Sequence, residues 1–167
     1  MSKTSPAEIG RALALELSIG LIAPLGMAVT AVSSTAAYAQ SIETAAQLVA
    51  ALQMDQHYAG RVDAVIAETK TLPRLWSGSA NADTAELRQK LARQRLLKMK
   101  PQVLAAVGER IASAYSEEEQ QNYLLALKGG PAPDHPMAYG VDFIFTDVIL
   151  NALIMISPKI DRRVQGQ

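Results

Sequence analysis

Beyond residue 40, every stretch of this chain with a clear hydrophobic period repeats at three and four residues, never at two. Such a pattern collects its apolar side chains on one face of a helix, so the fold is expected to be helix packed on helix. Ala45, Leu48, Val49 and Leu52 recur at i, i+3, i+4 and i+7, with Ser41 or Thr44 as the candidate cap. Tyr58, Val62, Val65, Ile66 and Thr69 continue the spacing after a break near Met54-Asp55. Aromatic residues are scarce and Ala and Leu are abundant, which favours helices over strands.

Proline, glycine and capping residues divide the remainder. Residues 71–83 (TLPRLWSGSANAD) read as a connection whose Leu72, Leu75 and Trp76 tuck back against the core. Asp83 followed by Glu86 has the capping-box pattern and opens a third helix. Pro101 predicts a kink or a fresh start. Val103, Val107, Ile111 and Ala114 line one face after it. Ser116-Glu117-Glu118-Glu119 is the clearest local signal: a hydroxyl to cap, a glutamate to bond back, and carboxylates at the positive end of the dipole. Gly129-Gly130-Pro131 ends that helix. A long apolar helix from Met137 to Ser157 follows, closed by Pro158. The expectation is an all-α fold, a compact bundle of five or six helices after an N-terminal signal peptide.

That leader is read from Leu17–Val32, which carries no charge, and from Ala37-Tyr38-Ala39 before Gln40. An apolar run ending in A-x-A predicts secretory cleavage after Ala39. The uncharged run to Ala39 is also long enough to span a bilayer, so an uncleaved anchor and membrane contact through residues 17–39 is the alternative. Gly20, Pro24 and Gly26 weaken it as a membrane helix. Either way, residues 40–167 are expected to form a single exported domain, periplasmic or secreted. Removing residues 1–39 takes Lys3 and Arg11 together with Glu8 and Glu16, so the charge balance stays even. Global charge therefore favours no nucleic-acid partner. The chain has no cysteine, which for an exported domain suits a bacterial periplasm and a fold held by packing alone.

The order of features is a leader, a short helix ending Leu48-x-x-x-Leu52, and a break at Gln53-Met54-Asp55. An amphipathic helix follows, and a later helix ends in Ala114-Tyr115-Ser116-Glu117-Glu118-Glu119 before a Leu-rich helix. This order resembles a family of small, helical, exported bacterial proteins known as a domain of unknown function. The resemblance covers Ser41–Val65 and Pro101–Pro131. The family continues after its Glu-rich cap with a Phe-Tyr-x-Ser-Pro-x-Gly turn, where Leu127-Lys128-Gly129-Gly130-Pro131 stands here. The resemblance implies an all-α periplasmic domain and carries over no catalytic residue.

Candidate chemistry is sparse. His57 and His135 are the only histidines, each beside an aspartate in Asp55-Gln56-His57 and Asp134-His135. Each offers half a metal site, and a metal-dependent hydrolase would need the fold to bring the halves together. No Gly-x-Ser-x-Gly elbow is present, and Gly129-Gly130 lacks the Lys-Ser/Thr of a phosphate loop. No catalytic residue, metal or cofactor is expected.

Two surfaces suggest contacts instead. Arg88, Lys90, Arg93, Arg95, Lys98 and Lys100 form a basic run that could face anionic headgroups, as a membrane-associated module would require. On a helical projection Arg88, Arg95 and Lys98 fall opposite Lys90, Arg93 and Lys100, which favours a solvated helix. In the last helix Val141, Ile144, Phe145, Val148, Ile149, Ala152, Met155 and Ile156 fill the core face. Phe143, Leu150 and Ile154, with Leu153 alongside, form a second apolar seam. Either neighbouring helices cover that seam, or it is an interaction surface for self-association or a protein partner. The function expected is that of a non-enzymatic periplasmic helical domain acting through protein or cell-envelope contacts.

Overall fold

The computed structural model describes residues 26–69, 75–76 and 82–166. Six helices and no strand occur among them: α1 (Gly26–Ala51), α2 (Met54–Thr69), α3 (Ala82–Lys98), α4 (Lys100–Ala114), α5 (Glu117–Leu127) and α6 (Pro136–Gln165). The fold is all-α, as the helical spacing requires. The leader before Gly26 and Leu72 of the predicted connection lie outside the described residues. Tyr38–Gln167 forms one compact unit.

The breaks have local causes. Between α1 and α2, Gln53 adopts a φ of 51°, and its carbonyl accepts from the N–H groups of Gln56 and His57 at 2.9 and 3.2 Å. A residue with a Cβ in that left-handed region costs about 1 kcal/mol. Pro101 produces the fresh start: α4 opens at Lys100, placing the proline in the first turn where no N–H is needed. Ser116 caps α5, accepting from Glu119 N at 3.3 Å while Glu119 Oε2 accepts from Ser116 N at 2.7 Å. Those reciprocal bonds complete the predicted capping box. The helix stops at Leu127, and Gly130 takes a φ of +122°, a conformation open to glycine.

Three expected boundaries move. Ser41 and Thr44 are not caps, because α1 already runs from Gly26; Thr44 Oγ1 instead donates to Gln40 O at 3.1 Å. Asp83 lies inside the first turn of α3 rather than before it. Pro158 does not close α6, which continues to Gln165. A proline cannot donate to the carbonyl four residues back. Here that carbonyl belongs to Ile154, and the neighbouring Ser157 hydroxyl donates to it at 3.0 Å. The helix therefore passes through the proline with its freed acceptor satisfied.

The core is assembled around α6, which packs on α2, α3 and α4. By length and hydropathy α6 could cross a membrane, but half of its most apolar window is buried inside the fold, as befits a central core helix. Tyr58, Val62, Val65, Ile66 and Thr69 are all buried, matching the predicted face of α2. Leu75 is buried and Trp76 packs against the core, as the sequence suggests. Along α4 the buried set is Val103, Val107, Gly108, Ile111 and Ala112, with Ala114 exposed instead.

Buried polar groups tie the helices together. Tyr58 Oη donates to Leu96 O at 2.9 Å, linking α2 to α3, and burial pushes its hydroxyl up to about 12. The hydroxyl stays protonated at neutral pH and keeps donating across the two helices. Gln120 is fully buried; its Nε2 donates to Ser41 Oγ at 2.8 Å and to Tyr115 O at 2.9 Å. Ser41 Oγ in turn donates to Ala112 O at 3.3 Å, so one network holds α1, α4 and α5.

Candidate functional site

The cationic run along α3 and the first residue of α4 is partly engaged by the packing. Arg88 is buried and its Nε lies 2.8 Å from Asp161 Oδ1, so it cannot meet an external anion. A guanidinium buried to this degree is held beside an opposite charge. Arg93 is held by Asp63, at 2.6 and 3.2 Å, and Lys100 Nζ lies 2.6 Å from Asp55 Oδ1. Lys90, Arg95 and Lys98 remain exposed. Half of the proposed anionic-contact set is thus engaged within the protein.

The histidines take separate roles. His135 caps α6, its Nδ1 accepting from Met137 N at 3.3 Å, and its ring stacks on Tyr123 with centroids 4.4 Å apart. His57 sits exposed on α2 beside a recess of about 180 Å³ that Arg61, Tyr123 and Asp142 also line. Arg61 pairs with Asp142 through both nitrogens, the Nη1–Oδ2 distance being 3.2 Å, and stands 5.8 Å above the Phe145 ring. Burial and the nearby Asp142 carboxylate raise the Tyr123 hydroxyl above its ordinary range. These contacts latch α2 to α6. Among the described residues no three histidine, aspartate or glutamate side chains stand together as a metal would require.

The seam of α6 divides. Leu153 is fully buried and Leu150 half-buried, while Phe143 and Ile154 are 60% and 48% exposed. Tyr139, one turn before Phe143, is exposed as well and extends the open stripe. Met155, expected on the core face, is exposed. The cause is a rotation of the buried face along the helix. Met137, Val141, Ile144 and Phe145 point inward in the first half, and Ile149, Leu153, Ile156, Ile160 and Asp161 in the second. A helix that packs on several neighbours in succession need not keep one phase.

A groove of about 590 Å³ between α4 and α6 is the feature that sequence reasoning missed. Val103 and Ala106 of α4 and Val148, Ala152 and Met155 of α6 supply its apolar lining, with Tyr38 and Met99 also bordering it. Small side chains at Ala106 and Ala152 leave space between the helices. At its margin Arg110 Nη2 lies 3.1 Å from Asp147 Oδ2, spanning α4 and α6. The sequence signal was Ala106 and Ser113 on the face of α4 beside the core residues, but a groove needs a second helix whose position no sequence period reports.

No family model, curated protein or solved structure matches this chain. The resemblance over Ser41–Val65 and Pro101–Pro131 carries over no activity.

Proposed function

We propose that this chain is a non-enzymatic helical domain of the bacterial periplasm that acts through protein or cell-envelope contacts. The observation that carries this reading is the surface of α6, where Tyr139, Phe143 and Ile154 stand open beside half-buried Leu150. Large apolar side chains grouped on one exposed face are a feature of contact surfaces. Several polar side chains have structural roles: Tyr58 as a strut, His135 as a cap, Arg61 and Asp142 as a latch.

Export with cleavage after Ala39 is part of the same proposal. Its support is positional: residues 35–40 are exposed, and Ser41 is the first buried side chain described. Processing before Gln40 would remove none of the buried side chains described. An intact-mass measurement on the envelope protein checks this, and a chain retaining residues 1–39 would favour the anchored alternative.

The contact surface is tested by replacing Phe143 and Leu150 with Ser, then measuring assembly size, crosslinked partners and unfolding midpoint. Loss of assembly or of a partner at a nearly unchanged midpoint supports the proposal. A monomer without partners before and after, with a large fall in midpoint, returns the seam to the core and refutes it.

A further inference from the structure

A second cleft opens between α3 and α6, distinct from the groove and from the exposed stripe. Its volume is about 190 Å³, and six residues line it: Leu91, Arg95, Ile156, Lys159, Ile160 and Arg163. Ile156 and Ile160 are nearly buried members of the core and Leu91 packs against it, so the apolar floor is already in place. Every polar side chain in the lining is cationic. Arg95, Lys159 and Arg163 are exposed, and none of them forms an ion pair with another described residue.

That arrangement departs from the rest of the molecule. The chain has equal numbers of basic and acidic residues, and elsewhere Arg61, Arg88, Arg93, Lys100 and Arg110 each lie against an aspartate. Around this cleft no carboxylate is among the lining residues. The helix dipole gives Arg95 and Arg163 a local reason to sit near the ends of α3 and α6. It does not explain why cations from both helices share one apolar floor. One sign of charge around a low-dielectric wall concentrates the opposite sign. Two guanidinium groups add forked donors suited to phosphate or carboxylate oxygens. The Arg88–Asp161 pair joins the same two helices and holds the walls together.

We infer that this cleft binds an anionic headgroup carrying an aliphatic tail. The cations take the phosphate or carboxylate, and Leu91, Ile156 and Ile160 take the first carbons of the tail. The volume falls below the ~300–1,000 Å³ usual for drug-sized ligands, so the cleft accommodates the head and adjoining carbons of an amphiphile, not a whole lipid. A membrane phospholipid and a free alkyl phosphate present the same chemistry. This inference uses none of the residues on the α6 stripe, so it stands or falls separately from the contact surface proposed above.

The test titrates the full chain with inorganic phosphate and with octyl phosphate, followed by calorimetry. Octyl phosphate is expected to bind at least about tenfold more tightly, because each methylene removed from water adds to affinity. The double variant Arg95→Gln/Arg163→Gln loses about tenfold or more. The double variant Lys90→Gln/Lys128→Gln, which removes the same charge elsewhere, leaves affinity within about twofold, as screened surface charges do. Leu91→Ser weakens octyl phosphate but not inorganic phosphate. Equal affinity for the two phosphates overturns the inference, as does an equal loss in both double variants. Vesicles of phosphatidylcholine with and without phosphatidylglycerol identify the source. A gain from phosphatidylglycerol that the Arg95/Arg163 variant abolishes supports a membrane lipid. Octyl phosphate binding with the same variant sensitivity, and no such gain, supports a soluble amphiphile.

Discussion

Arg88 Nε and Asp161 Oδ1 meet 2.8 Å apart between α3 and α6, with side chains only 5% and 7% exposed. Desolvation of both ions consumes most of the attraction between them, so the pair adds little net stability yet is costly to break. Asp161→Ala should destabilise the fold by about 3–5 kcal/mol, because it removes the carboxylate that faces a buried guanidinium. Replacing both, as Arg88→Met with Asp161→Leu, should recover most of that loss. Urea unfolding of Arg88→Met, of Asp161→Leu and of the double variant, with Asp161→Ala beside them, decides it. Additive losses would show that the pair is not coupled.

Gly140 lets the Tyr115 ring approach α6. A Cβ at that position would lie 1.8 Å from Tyr115 Oη and 3.2 Å from Cζ. Gly140→Ala should therefore displace the half-buried ring, and that displacement offsets the gain of about 1 kcal/mol that alanine otherwise brings inside a helix, leaving the variant no more stable than the native chain. Adding Tyr115→Leu to Gly140→Ala removes the collision, and the combined variant should be less destabilised than the sum of its parts. Thermal melts of the set provide the comparison.

The capping box of α5 predicts a pH dependence with a definite sign. The Ser116 hydroxyl and then the Ser116 backbone N–H hold the Glu119 carboxyl below its ordinary range. A depressed carboxylate contributes stability above its unfolded pKa and loses it as pH falls through the folded value. The stability gap between the native chain and Glu119→Ala should be present at neutral pH and close at acidic pH, below the usual carboxylate range. Ser116→Ala should cost about 1 kcal/mol at neutral pH. Denaturation at neutral and acidic pH measures both.

At Pro158, the Ser157 hydroxyl takes the Ile154 carbonyl that the proline leaves free. A proline inside a helix costs about 3 kcal/mol before such compensation. Pro158→Ala should raise the unfolding midpoint. Ser157→Ala should lower it in the native chain but much less in the Pro158→Ala background, where a backbone N–H is restored. A double-mutant cycle isolates that coupling.

What was legible in the sequence was local. Hydrophobic spacing located the buried face of α2, Ser116 and Glu119 marked the start of α5, and Gly129-Gly130 its end. Each depends on residues within a turn or two of one another, where backbone geometry alone decides. Signals that needed a neighbour misled: Asp83 looked like a cap, and Pro158 looked like a stop until Ser157 supplied the missing donor.

The sequence by itself determined that this chain forms helices and roughly where they break, because helical period and capping are short-range properties. Only the tertiary structure decided which faces stay open. It buried Arg88 against Asp161 across 73 residues of sequence, exposed Phe143 and Met155, and set Arg95 beside Lys159 and Arg163 around one cleft. A side chain's exposure is a property of the helix packed against it, and the α6 face turns as its partners change. No period read along one helix carries the position of another.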